Sequence, residues 1–446
     1  MNDFLIIGAD AAGLSAAVQI RRKRPQAGLK VINKGRTISY GACGIPYVIS
    51  GDVVEAEKLI HYTPETMEKE RGIKVEILRE AVGIDPEARD VEVKNLETGE
   101  VTRETYGRLL IATGATPRRL PFLDYAAEGV FNLHDMDDLG RILDFMNGKR
   151  PRTAAVVGAG NIGLELAEAL RARDMNVVMI DILETPIATW PSLVREAVLR
   201  EMRTRGVRFA GGMKIAETAR RGEGFVLRSD KDDFEADVIF SVVGVRPAVE
   251  FCGGKIKALE NGALLTDPFC RTSAADVYAA GDCAAVRHRI LDHPVWMPLG
   301  STANKAGRVA GINMAGGSVE YPGIIGTQVF KFFGLSLART GVDAEEAAAA
   351  GLEAFTVSSA ARDKPGYYPG AGTVEIEIVC EKGSGRLLGA AVVSPDNAVI
   401  IIDAAAAAVT AGMTVRDLAW LDAAYTPPFA PVWNALSLAA LKALRL

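Results

Sequence analysis

Thr153-Ala-Ala-Val-Val157 runs without a break into Gly158-Ala-Gly-Asn-Ile-Gly163, and the reading of this stretch decides the fold. An apolar, valine-rich run, closed by G-x-G-x-x-G and followed by a helical pattern from Leu164 to Arg173, predicts strand, tight turn and helix. Gly158 makes the turn, Gly160 lets the backbone approach a pyrophosphate, and Gly163 allows helix and strand to touch, with Asn161 and Ile162 completing the loop. The next strand, Asn176 to Ile180, ends at Asp181, 18 residues beyond Gly163. A carboxylate at that point accepts hydrogen bonds from both ribose hydroxyls of NAD and repels the 2′-phosphate of NADP, so NADH is expected in preference to NADPH. The plainer alternative is that Asp181 only opens a solvated loop.

A second, imperfect copy of the pattern opens the chain. Phe4-Leu-Ile-Ile7 reads as a buried parallel strand, followed by Gly8-Ala-Asp-Ala-Ala-Gly13, a helix to about Arg24 and a strand from Leu29 to Ile32. Here the middle glycine is Asp10, and the acid expected after the second strand is Asn33, which bonds a hydroxyl without charge assistance. Three later segments strengthen the reading. Arg108 to Pro117 is a buried strand running into Thr113-Gly114, Thr272 to Cys283 is a strand ending in Gly281-Asp282, and Met297 to Arg308 opens a helix.

Between these pieces lies Ser39-Tyr-Gly-Ala-Cys-Gly-Ile-Pro-Tyr47. Proline is favoured in the first turn of a helix, so a helix starting near Pro46 would set Cys43 by its positive end, where a thiolate is stabilised. A lone cysteine is otherwise a small buried hydrophobe.

Composition narrows the class. The 446 residues suggest about three domains. A hydrophobic share of 49% with 24% charged residues is ordinary for a globular protein, and a formal charge of −5 with dispersed signs leaves no footprint for nucleic acid. No apolar run approaches the roughly 20 residues that cross a bilayer, and Phe4 to Gly8 is too short for a signal sequence, so a cytoplasmic protein without membrane partners is expected. Cys43, Cys252, Cys270, Cys283 and Cys380 form no C-x-x-C pair, which argues against a metal site, a disulfide framework and a two-cysteine redox motif.

In this order the motifs resemble the two-dinucleotide-binding flavoprotein disulfide reductases over essentially the whole chain. The resemblance implies an α/β fold with two Rossmann-like domains, for FAD (1–150 and 244–320) and NAD (151–243), and a C-terminal α+β dimerisation domain (321–446). It implies FAD contacts from Gly8, Ala11, Ala12, Gly13, Asn33, Lys34, Thr113, Gly114, Gly281, Asp282 and Ala303, with Gly244 where the chain returns to that domain. Asp282 would hold the ribityl chain, and the helix after the turn at Asn304 would aim its positive end at the flavin's pyrimidine carbonyl. Glu165 matches a residue near the nicotinamide, whereas Asn161 replaces a tyrosine that covers the flavin. In the C-terminal third, Thr327 to Phe333, Thr373 to Cys380 and Leu387 to Val393 read as strands, and Ala404 to Ala411 and Asn434 to Leu446 as helices. The clusters Tyr367-Tyr-Pro-Gly370 and Tyr425-Thr-Pro-Pro-Phe-Ala-Pro431 match those whose tyrosines reach the partner subunit's cysteine. Tyr425 is expected there, with either Tyr367 or Tyr368.

Within the family the chain resembles the single-cysteine branch: coenzyme A-disulfide reductases, NADH-dependent persulfide and polysulfide reductases, and NADH oxidases. His61, His134, His288 and His293 all precede residue 300, so the C-terminal acid-base histidine of glutathione reductase-like enzymes is missing, and Ala11 stands where NADH peroxidases have theirs. Gln19, Arg22 and Ser39 match positions that contact coenzyme A, making it a candidate ligand, although Ala42 replaces an asparagine of those enzymes. The cationic run Arg21-Arg-Lys-Arg24 also suits plain compensation of a helix C-terminus. With the sequence ending at Leu446, the rhodanese domain fused to some persulfide reductases is not expected. The implied reaction takes a hydride from NADH to FAD, then electrons to Cys43 and a small disulfide or polysulfide, in a homodimer. The rival is an NADH oxidase cycling Cys43 through sulfenic acid; a flavoprotein switch without turnover is a third possibility from another class.

Overall fold

The structure is a computed structural model that describes residues 2–396 and 398–445. In chain order it opens with strand β1 (Asn2–Ile7), helix α1 (Ala11–Lys23), strand β2 (Leu29–Ile32) and the short helix α2 (Ile45–Ser50). Strand β3 (Val101–Ile111) precedes a second alternation of β4 (Thr153–Val157), α3 (Asn161–Ala172), β5 (Asn176–Ile180) and β6 (Val238–Ser241). Strand β7 (Val277–Ala279) and helix α4 (Gly300–Met314) follow. The C-terminal third holds β8 (Gln328–Phe332), β9 (Leu335–Gly341), β10 (Ala354–Arg362), β11 (Thr373–Glu381), β12 (Leu387–Ser394), α5 (Val399–Ala411) and α6 (Ala435–Ala443).

These elements form two compact units. The first takes Met1–Arg118, His134–Gly140 and Gly244–Ile324. Its parallel strands run Val75–Glu76, β2, β1, β3, β7, with Ile7 level with Ile32 and Ile111, and Ala279 level with Ile111. Leu5, Ile6, Leu109 and Leu110 are fully buried, as expected for parallel strands covered on both faces. One face packs on α1 and α4, through Ala16, Ile20 and Ala310. The other meets a layer with Val91, Val93 and Leu264. Strand β3 serves two sheets, since Val101–Thr105 pairs antiparallel with Asp90–Asn95 before the remainder joins β1. Helices α1 and α4 lie backbone to backbone, because a Cβ at Gly307 or Gly311 would collide with the main chain of Ala12 or Ala16.

The second unit takes Arg119–Leu133, Arg141–Val243 and Ile325–Leu446. Its parallel sheet runs Val207–Ala210, β5, β4, β6, Val130–Phe131, and an antiparallel meander spans Ile215–Ala236. The C-terminal sheet is antiparallel in the order β8, β9, β12, β11, β10, with α5 packed on β9 and β12 and α6 on β10 and β11. The architecture is thus the expected α/β fold with two Rossmann-like regions followed by an α+β region.

Some boundaries differ from expectation. Helix α3 starts at Asn161, three residues before Leu164, because Leu164 N–H already bonds Gly160 O at the end of the glycine turn. The strand expected over Thr272–Cys283 is only β7: Asp276 is left-handed (φ 60°), and Thr272 Oγ1 and N–H both close on Val277 O. Helix α5 begins at Val399 rather than Ala404, taking in the strand-like run Val399-Ile-Ile-Ile402. Asn434 caps α6 by accepting the Ser437 N–H at 2.9 Å, and Leu446, its expected end, lies outside the described residues. Among the described residues no helix is long and apolar enough to cross a membrane, and no group of His, Cys, Asp or Glu could hold a metal ion.

Candidate active site

The level ends of β1, β2, β3 and β7 place the first set of candidates on one crest of a parallel sheet, the side where such sheets bind ligands. Gly8 turns there with φ 107°, and a Cβ on it or on Gly13 would collide with the Ala112 or Gly8 carbonyl. Ala9 N–H donates to Asn33 Oδ1 at 3.0 Å, while Asn33 Nδ2 donates to Gly35 O and Thr37 O. Thr113 Oγ1 is buried without a partner of its own, beside the weakly hydrogen-bonding Cys283 sulfur, and Gly114 (φ 69°) faces open space. A Cβ at Gly281 would lie 3.0 Å from that of Ala12 and 3.7 Å from that of Ala303, so three candidates from three elements converge. Burial raises the Asp282 pKa. Lys34 is exposed and ion-paired to Glu80 at 2.7 Å, and Gly244 (φ 91°) opens the return of the chain.

The cysteine loop is stitched to this crest. Ser39 N–H donates to Ala9 O at 3.1 Å, and His61 N–H to Ser39 O at 2.7 Å. Ser39 is left-handed (φ 48°), which a serine adopts only when its surroundings impose it. Cys43 sits in a single 3₁₀ turn, Ala42–Gly44, directly before α2, with Pro46 in the first turn of that helix. It is the one exposed cysteine of five. Burial pushes the thiols of Cys252, Cys270 and Cys380 up to about 12 and that of Cys283 to about 11, which makes all four inert at neutral pH.

In the second unit the same construction recurs at the ends of β4 and β5. Gly158 turns with φ 108°, a Cβ on Gly163 would collide with Gly158 O, and Gly160 faces open space. Ala159 N–H donates to Asp181 Oδ2 at 2.7 Å, the counterpart of the Ala9–Asn33 bond, and Leu183 N–H to Asp181 Oδ1 at 2.9 Å. Asn161 and Ile162 form the first turn of α3. Glu165, one turn further, has its pKa raised from 4.5 to about 7, chiefly by burial and then by the charge of Glu168. Glu168 is taken by Lys331 and by the Phe333 N–H at 2.6 Å.

The remaining candidates divide clearly. Tyr367 and Tyr425 are exposed with hydroxyls 3.5 Å apart, whereas Tyr368 is half-buried and outside that pair. Trp420, Phe429, Val432 and Trp433 also expose apolar surface, with the Trp420 and Trp433 rings 6.3 Å apart. Gln19 is buried within α1, while Arg22 is exposed and makes no intrachain bond among the described residues. Its neighbours Arg21 and Arg24 are committed to carbonyls of Pro25, Ala27 and Ala315. Sequence reasoning treated Asp10 only as a mismatch and His61 only as a histidine in the wrong half of the chain. Both lie at the first crest, and only their tertiary neighbours reveal it.

Two glycine-lined dinucleotide cradles on parallel sheets, with one exposed cysteine loop bonded to the first, define an oxidoreductase that handles electrons between nucleotide cofactors. Residues 2–307 match the pyridine nucleotide-disulphide oxidoreductase family model and residues 327–436 its dimerisation domain. The chain belongs to the pyridine nucleotide-disulphide oxidoreductase family. It is 36% identical over 435 residues to an NAD(P)H sulfur oxidoreductase (CoA-dependent) of Pyrococcus furiosus, covering 97% of each chain. It is 29% identical to an NADH oxidase of Methanocaldococcus jannaschii, covering 99% of this chain and 98% of the relative. An NAD-dependent persulfide reductase from A. fulgidus superposes with TM-score 0.94 at 33% identity, covering 99% of this chain and 83% of that one. The family's cofactors are FAD and NAD(P)H, and the cradles fit them: glycines that admit no Cβ at each strand-to-helix turn leave the backbone bare for a pyrophosphate.

Proposed function

We propose that the protein is an NADH-dependent reductase that delivers electrons through FAD and Cys43 to a small disulfide: coenzyme A disulfide, coenzyme A persulfide or polysulfide. The observation that carries this reading is the isolation of one exposed cysteine, at the head of α2, from four buried thiols. The names of the sulfur, persulfide and coenzyme A-disulfide reductases among its relatives favour the same acceptors. In this reading residues 1–150 and 244–320 bind FAD, 151–243 bind NAD, and 321–446 form the dimer. A cytoplasmic setting suits a thiol that must be kept reduced.

Bound FAD supplies the relay, accepting a hydride from NADH and passing the electron pair to sulfur. Gly8, Ala11, Ala12, Gly13, Asn33, Lys34, Thr113, Gly114, Gly244, Gly281, Asp282 and Ala303 hold it; Gly158, Gly160, Asn161, Ile162, Gly163 and Asp181 hold NADH, with the Asp181 carboxylate selecting against a 2′-phosphate. Glu165, neutral up to about pH 7, can donate a hydrogen bond to the nicotinamide carboxamide as well as accept one. The Cys43 thiolate attacks a substrate sulfur, forming a Cys43–S–S–R mixed disulfide and releasing the other half as a thiolate. A proton for that leaving sulfur comes from Tyr425 of the partner subunit, steadied by Tyr367 of the partner subunit. Two electrons then free the second thiol and restore the Cys43 thiolate. Arg22, whose side chain makes no bond among the described residues, is offered to a coenzyme phosphate, with Gln19 and Ser39 beside the pantetheine.

Intact mass of purified protein before and after reductant tests this. A reductant-labile coenzyme A adduct, absent from Cys43→Ser, is expected; NADH consumption with oxygen but with no disulfide or polysulfide would overturn the reading. That outcome belongs to the second reading, an NADH oxidase, which the 29% identical relative and Asn161 in place of a flavin-covering tyrosine favour.

A further inference from the structure

We infer that FAD binding to this chain is coupled to the uptake of a proton by Asp10. The inference rests on reading the first cradle as the FAD site. Asp10 stands at the second glycine position of the phosphate turn and is the residue before α1, where an anionic pyrophosphate meets helix N–H groups. Its side chain makes no capping hydrogen bond to α1, but the backbone N–H groups of Ala11, the first residue of α1, and of Tyr40 in the cysteine loop favour its charged form. The turn thus contains an anion of its own at the place prepared for the ligand's.

Two charged groups from other parts of the crest act on Asp10. Asp282, from the crest after β7, opposes its ionisation; His61, from the segment bridged to Tyr40, favours it. The Tyr40 phenol stays neutral, its pKa raised by burial and then by Asp10 itself. Burial is the largest influence and carries the Asp10 pKa from 3.8 to about 6 in the ligand-free protein. An approaching diphosphate raises it further, because a like charge disfavours the ionised form. As a neutral acid, Asp10 gains a donor hydroxyl for an anion. As a carboxylate it competes with the ligand for the helix terminus.

The test is the rate of FAD release from the holoenzyme after dilution, followed by the fluorescence of freed flavin between about pH 5.5 and about pH 8.5. The wild type is expected to release FAD at least about tenfold faster at the upper end, and Asp10→Asn, which cannot ionise, is expected to flatten the profile. Asp10→Gly, which restores the usual glycine, carries the same expectation should the asparagine variant not fold. A pH-independent release from the wild type, or an unchanged profile in both variants, overturns the inference while leaving the flavin reading intact. A protein that purifies without flavin overturns both.

Discussion

Glu165→Gln is predicted to stabilise the protein at alkaline pH and to do almost nothing at acid pH. In the folded chain the carboxyl holds its proton to about pH 7, against 4.5 for a free glutamate side chain, because burial and the neighbouring Glu168 disfavour the charge. Below 4.5 both folded and unfolded forms are protonated and the site costs nothing. As pH rises from there to about 7 the folded form binds more protons than the unfolded, so stability falls, and above about 7 the whole cost remains. At 1.36 kcal/mol for each factor of ten in the ionisation constant, the difference comes to about 3 kcal/mol. Glutamine keeps the shape and cannot ionise. Urea denaturation of wild type and variant, compared at about pH 5 and about pH 8.5, should therefore show the variant gaining about 2 to 3 kcal/mol on the wild type. An equal gap at both pH values, or a variant less stable at the higher one, would refute the reasoning and leave Glu165 as an ordinary solvated side chain.

Cys43→Ser should lose essentially all NADH-dependent disulfide turnover while keeping bound flavin, read as absorbance per protein and as thiol release; turnover surviving in the variant would remove the sulfur from the pathway. Asp181→Ala should raise the KM for NADH by about tenfold or more and narrow the preference over NADPH, since it removes both the ribose acceptor and the brace on Ala159 and Leu183. Tyr425→Phe and Tyr367→Phe should each slow disulfide reduction, with Tyr368→Phe silent, because only the first two share a hydroxyl contact. Gly307→Val should force α1 and α4 apart at a cost of about 1–3 kcal/mol and lower the flavin content of the purified protein, measured spectroscopically.

The fold was legible because its central strands are short apolar runs that stop at a glycine turn or a polar residue: β2 ends before Asn33, β4 before Gly158 and β5 before Asp181, each where the pattern says. What stayed hidden depended on partners distant in the chain. Glu165 has a raised pKa partly because Glu168 lies beside it, and Glu168 is held in place by Lys331, 163 residues away. Four cations in a row, Arg21 to Arg24, carry no mark that separates Arg21 and Arg24, spent on carbonyls, from Arg22 and Lys23, whose side chains make no bond among the described residues. Ser39 gives no hint of its left-handed backbone, since only its bonds to Ala9 and His61 require it. The aromatic clusters announced tyrosines but not which one of Tyr367 and Tyr368 meets Tyr425; the turn closed by Tyr368 N–H on Pro365 O is invisible in composition.

The seclusion of four thiols has a meaning for damage as well as for turnover. Peroxide or an electrophile diffusing up to a protomer meets one sulfur, and the interior ones, protonated and walled off, offer it no second target. With no neighbouring cysteine to close a ring, oxidation within a protomer cannot retreat into an internal crosslink. A sulfenic acid there must be reduced back by electrons from NADH or capped by a small thiol from solution before it runs on to irreversible acids, so the lifespan of the protein under oxidative stress is tied to the supply of NADH and low-molecular-weight thiol around it.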